Sequence, residues 1–153
     1  MSIYTVALFG HRNMLDTKHI DHNLIPIITN LIETKFYIVF LIGRNGEFDA
    51  YAASIIKMVQ HEYGISRLEL NLVLPYAVSD IEYYDNYYDS ILIPECVENV
   101  HPKSAITKRN RWMVEQADLV IDNVEKQQGS AFTALRYAEK LCKPVINLAT
   151  QHN

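Results

Sequence analysis

Six short apolar runs constrain this chain more than any other feature: Ile3–Phe9 (IYTVALF), Tyr37–Ile42 (YIVFLI), Leu70–Leu74 (LNLVL), Ile91–Ile93 (ILI), Leu119–Ile121 (LVI) and Val145–Leu148 (VINL). They are rich in β-branched and aromatic residues, and several are apolar without interruption, as strands covered on both faces are. Helical periodicity fills the intervals. Ile20, Leu24, Ile27 and Leu31 fall on one helical face, as do Ala52, Ile55, Ile56, Val59 and Tyr63. Further helices are predicted over about 79–88, 105–117 and 131–142, with 94–104 as the longest loop. Strands alternating with helices imply βαβ units with right-handed crossovers. The expectation is a Rossmann-like three-layer α/β domain with a mainly parallel sheet of five to six strands. Residues 1–153 would form a single domain, since a chain of this length buries about 68–70% of its unfolded surface around one core.

The 14 Lys and Arg against 18 Asp and Glu give a net charge of −4, opposite to the basic footprint of proteins that grip a phosphate backbone. Bulk nucleic acid is therefore not expected as a partner. Cys96 and Cys142 show no CxxC spacing or neighbouring His pair, so neither a disulfide framework nor a zinc site is indicated. No metal and no cofactor are expected. The chain opens on a strand-like run without a basic leader, and no apolar run approaches the ~18–20 residues that cross a bilayer. A cytoplasmic protein without membrane contact is the corresponding reading.

In sheets of this kind ligands bind beyond the carboxyl ends of the strands. The first strand exits into Gly10, His11 and Arg12, where the glycine permits a tight exit and the guanidinium offers a rigid fork for phosphate or carboxylate. The second exits into Gly43-Arg44-Asn45-Gly46, followed by a helix start carrying Glu47 and Asp49. Those carboxylates suit helix capping, and either is also placed to accept hydrogen bonds from ribose hydroxyls. The third is followed by Tyr76, available for stacking on a base or for packing a turn. Ala77, Ile81, Tyr84 and Tyr88 share a face that reads as core, whereas Tyr83 and Tyr87 lie off it and suit a subunit interface. Gly129, Ser130 and Thr133 are small groups that let a backbone close on a ligand.

From 108 to 148 the residues follow a recognisable order: Arg109 and Met113; Ala117, Asp118, Val120 and Ile121; Gly129, Ser130 and Thr133; then Ala138, Lys143, Pro144, Val145 and Ile146. This order resembles the SLOG superfamily, in a small stand-alone bacterial or phage form. The superfamily includes the LONELY GUY phosphoribohydrolases, the DNA-processing protein A family and nucleotide-signal sensors. Phe9-Gly10-His11-Arg12 and the segment 43–49 resemble the first two loops of small members. The resemblance implies a cradle for a nucleotide-like anion, with Arg12, Arg44 and Arg109 converging, Arg109 from near the start of its helix. LONELY GUY enzymes carry a PGGxGTxxE turn. In this chain Gln128 stands for the proline, Ser130 and Phe132 for glycines, and Arg136 for the glutamate that takes part in bond cleavage. Arginine cannot act as a general acid or base at neutral pH. The implied function is binding of a small nucleotide or ADP-ribose-type ligand without catalysis, as sensor, carrier or sequestering protein. An N-glycosidase using Glu47 or Asp49 is the alternative, and single-stranded DNA binding conflicts with the charge. Relatives pair through helices, so a homo-oligomer, a dimer or higher, is expected.

Overall fold

The computed structural model describes residues 2–13, 17–44, 46–64 and 66–150. Its strands are β1 (Ile3–Gly10), β2 (Tyr37–Ile42), β3 (Leu68–Val73), β4 (Ser90–Leu92), β5 (Leu119–Asn123) and β6 (Val145–Asn147). They form one six-stranded sheet in the order β4-β3-β2-β1-β5-β6, and every pairing is parallel. Its helices are α1 (Lys18–Thr34), α2 (Glu47–Tyr63), α3 (Ile81–Asp85), α4 (Pro102–Gln116) and α5 (Ser130–Lys140).

Strand alternation sorts the core into two layers. Val6, Leu8, Phe40, Leu70 and Ile121 meet Ile20, Leu24 and Ile28 of α1 and Phe48, Ala52 and Ile56 of α2. Ala7, Phe9, Leu41, Val73 and Val120 meet Met113 and Val114 of α4 and Ala131, Ala134 and Ala138 of α5. The chain thus winds outward from β1 to β4 under one helical layer, crosses beneath α4, and resumes on the opposite side of β1 with β5. The strand order reverses between β1 and β5, and the carboxyl ends there diverge to open a crevice.

Four local expectations change. On α1 the buried stripe runs through Ile20, Leu24, Ile28, Leu31 and Ile32, with Ile27 only partly buried. On α2, Tyr63 is exposed because the helix stops there on Gly64, whose left-handed φ of 56° ends it. The helix expected over 79–88 shrinks to α3, because Asp89 N–H is drawn into the sheet by Leu70 carbonyl and the chain must extend before Ser90. Ile81 is consequently exposed, and Tyr88 reaches the core from the turn that follows α3. The loop expected at 94–104 holds a single 3-10 turn at Glu95–Val97 and gives way to α4 at Pro102. There His101 caps the helix by accepting from Lys103 N–H, and proline at the first position is preorganised for helical φ.

Candidate ligand-binding site

Several of the motif residues from 108 to 148 hold the frame. Asp118 accepts from Thr5 N–H at 2.9 Å and fixes the start of β5 against β1. Lys143 donates to the carbonyls of Glu115 and Ala117 and so terminates α4. Gly129 precedes α5 with φ 93° and ψ 174°, a conformation open to glycine almost alone.

At the carboxyl edge, a cleft of about 510 Å³, counting space open to solvent, is lined by Leu8, Phe9, Gly10, Arg12, Gly43, Asp49, Ile106, Arg109, Asn110, Met113, Ser130 and Ala131. It draws on the exits of β1 and β2, the start of α5 and one face of α4. Arg109 is the decisive wall. It sits midway along α4, not near its start, and only 3% of its surface is exposed. Its Nη1 donates to Val73 carbonyl at 2.8 Å and its Nε to Asn110 Oδ1 at 2.8 Å. Burial lowers its pKa, while the charge of Asp49 works to keep the guanidinium charged. A cation this deep is costly unless negative groups meet it, and Asp49 supplies one beside Gly43.

The glycines of the cleft are explained by what stands over them. A Cβ on Gly43 would lie 2.9 Å from Arg109 Nη1 and 3.1 Å from Asp49 Oδ2. Gly10 does not form a tight turn: a Cβ there would lie 2.1 Å from the Phe48 ring, so glycine is required for α2 to seat on β1. Gly46 makes room for the backbone of Arg12, whose carbonyl accepts Glu47 N–H at 2.8 Å. Part of the anion-binding capacity expected at the start of α2 is therefore filled by the chain itself. The start of α5 is different, since Gly129 supplies no side-chain cap and Ser130 faces the cleft.

Of the residues predicted for the site, the structure brings Gly10, Arg12, Gly43, Asp49, Arg109 and Ser130 together on the cleft. The other described ones lie around it or away from it. His11 Nε2 accepts from the N–H groups of Glu125 and Lys126, both at 3.1 Å, clamping the loop that leads to α5. Burial, and then the charge of Lys126, lower its pKa, so the neutral ring that this clamp requires is favoured. Arg44 turns to Tyr84, donating to its hydroxyl at 3.3 Å and lying 5.1 Å from the ring centroid. Thr133 donates its hydroxyl to Gly129 carbonyl and lines a narrow crevice beside the cleft with Asn110 and Ser130. Tyr76 is exposed next to the β3 exit. Glu47 is exposed on the first turn of α2, and Arg136 points to solvent beside Glu139 at 3.8 Å. Asn45 lies outside the described residues. Asn110, which orients Arg109, escaped sequence reading. The available signal was that Ile106, Arg109, Asn110 and Met113 share one helical face on which two polar residues interrupt an apolar stripe.

No protein-family model matches the chain, and no curated protein does. Solved structures do. DNA processing protein A from Helicobacter pylori superposes with a TM-score of 0.63 at 18% identity, over 93% of this chain and 63% of that one. The chain has the fold of DNA processing protein A. The same protein from Streptococcus pneumoniae matches with a TM-score of 0.65 at 17% identity, over 94% of this chain and 49% of its own. This chain therefore spans 63% and 49% of the lengths of the two proteins, and the Rossmann-like three-layer fold expected from the sequence is the fold observed. The H. pylori protein binds single-stranded DNA, which overturns the expectation that a bulk nucleic-acid partner is excluded. That exclusion rested on net charge, a sum over all faces, whereas binding depends on the few cations at one edge. Among the described residues no helix is long and apolar enough to cross a membrane, and no group of three or more His, Cys, Asp or Glu is placed to hold a metal ion.

Proposed function

We propose that the cleft binds the phosphate of a nucleotide or ADP-ribose-type ligand without cleaving it. The observation that carries this reading is the buried Arg109, held by Val73 and Asn110 in the wall of a crevice at the reversal of strand order. Arg12 and the start of α5 at Ser130 add positive potential, and Asp49 supplies an acceptor for ribose hydroxyls. Against catalysis stands Arg136, a solvent-facing cation where LONELY GUY enzymes place their glutamate. The test is a thermal-shift and calorimetric panel of nucleoside phosphates, NAD and ADP-ribose, with chromatography for released base. A ligand at a hundredfold excess over Kd stabilises the native state by about 2.7 kcal/mol. Absence of any shift across the panel sinks the reading, and release of free base turns it to the N-glycosidase.

A second reading is favoured by the fold shared with the H. pylori protein: the phosphate in the cleft belongs to single-stranded DNA. It predicts that a short oligonucleotide binds with strong salt dependence and competes with mononucleotides. Binding of mononucleotides with no binding of the strand removes it.

A further inference from the structure

Next to the cleft lies a second concavity that the phosphate site does not use. Its floor is the small side chains of Ala50 and Ala53 on α2, and its walls are Tyr83, Tyr84, Tyr87 and Tyr88. The rings stand edge to face, Tyr83 against Tyr84 with centroids 5.1 Å apart and Tyr87 against Tyr88 at 4.9 Å. Only Tyr88 is buried, and Tyr83 is 78% exposed. Two cations border the rings, Arg44 beside Tyr84 and Lys57 at 5.8 Å from the Tyr87 centroid.

Chain neighbours tie the groove to the cleft at two points. Gly43 lines the cleft and the next residue, Arg44, reaches the groove; Asp49 lines the cleft and the next residue, Ala50, floors the groove. We propose that the tyrosine groove is a nucleobase-stacking subsite for a ligand whose phosphate occupies the cleft. This rests on the phosphate reading above. Exposed aromatic faces flanked by cations are what flat π-systems joined to phosphates require. The exposed acids of the same segment, Asp80 and Glu82, oppose phosphate against the tyrosines themselves and leave it to the cleft, Arg44 and Lys57. The ligand class that follows carries at least one base beyond the phosphate held at Arg109, whether a dinucleotide such as NAD or a single strand.

The experiment uses four probes on the full chain: a labelled short oligothymidylate, the abasic strand of equal length, NAD, and ribose 5-phosphate. Tyr83→Ala and Tyr87→Ala are expected to weaken a base-bearing probe about tenfold, the scale of one lost stacking contact, while base-free probes bind unchanged. Tyr83→Phe should retain wild-type affinity, since the ring face and not the hydroxyl is used. The strand and NAD arms distinguish a polymer from a free dinucleotide. Equal binding of base-bearing and base-free probes by wild type, or unaltered affinity in both alanine variants, overturns the groove while leaving the cleft standing. Failure of wild type to bind any probe overturns both. Light scattering covers the remaining occupant: a dimer that Tyr83→Ala converts to monomer makes the groove an interface between copies and overturns the proposal.

Discussion

Arg109 and Asp122 are both buried ionisable groups, and they are buried on opposite terms. The guanidinium is bonded on two nitrogens, so Arg109→Ala strands Val73 carbonyl and Asn110 Oδ1 in the interior. Leaving such groups unsatisfied costs about 1–3 kcal/mol, so the variant should lose stability as well as ligand. Urea unfolding with and without ligand separates the two losses. A fully stable variant would show that Arg109 is not the pillar described. Asp122, on β5 and wholly buried, has both carboxyl oxygens without a hydrogen-bond partner among the described residues. Burial, and then the charge of Glu139, raise its pKa well above 3.8. The folded state therefore holds a proton that the unfolded state has released, and its stability falls as pH rises from 3.8 towards the folded pKa. Asp122→Asn should raise Tm at neutral pH, and the gain should shrink as pH approaches 3.8. A Tm gain independent of pH would refute the assignment of a neutral carboxyl.

Among the elements, two glycines are required for unrelated reasons, and substitution separates them. Gly10→Ala drives a methyl into the Phe48 ring and so pushes α2 off β1, an overpacking that typically costs 1–3 kcal/mol or more. Phe48→Leu in the same chain should return part of that loss, a coupling measurable by a double-mutant cycle. Among the described residues, its chain neighbours apart, no atom lies within 4 Å of a would-be Cβ on Gly129, so Gly129→Ala pays only the backbone strain of φ 93°, of order 1–3 kcal/mol. No second-site side chain should relieve it, and a rescue by trimming a neighbour would contradict this account. Of these two requirements only the glycine identities were legible in the sequence. The strands were readable because a strand buried on both faces must be apolar nearly throughout, which is a local property. The partner of Gly10, a strand residue, lies on α2, and the partner of Arg44 is a tyrosine beyond the third strand; neither pairing leaves a periodic trace. The same holds for α3, where turn-forming Asp and Asn residues and the pull of β4 prevailed over helical spacing.

At the scale of the whole molecule, one sheet with its strand order reversed at β1 explains why Arg12, Gly43, Arg109 and Ser130, spread over most of the chain, meet at one edge. That edge was legible in the sequence because the first two strand exits and the turn before the fifth helix carry Gly10, Arg12, Gly43 and Ser130; Asn110 showed only as a second polar residue on the helical face of Arg109, and Asp122 left no trace because a single polar residue in an apolar strand carries no pattern of its own. Acid should loosen this edge. His11 has its pKa lowered from 6.5, so its contribution to stability is complete above 6.5 and is lost as pH falls through the folded value. Denaturation midpoints of wild type and His11→Gln across that window should converge at low pH, and parallel profiles would exclude the clamp. The clamp also has a kinetic signature. His11 holds the amides of Glu125 and Lys126, while Arg12, the next residue, holds the amide of Glu47. Three amide hydrogens remote in sequence are thus guarded by one dipeptide, and in deuterated solvent they should exchange through a common opening of the β1 exit. Below the folded pKa of His11, Glu125 and Lys126 should be released to exchange first, leaving Glu47 protected.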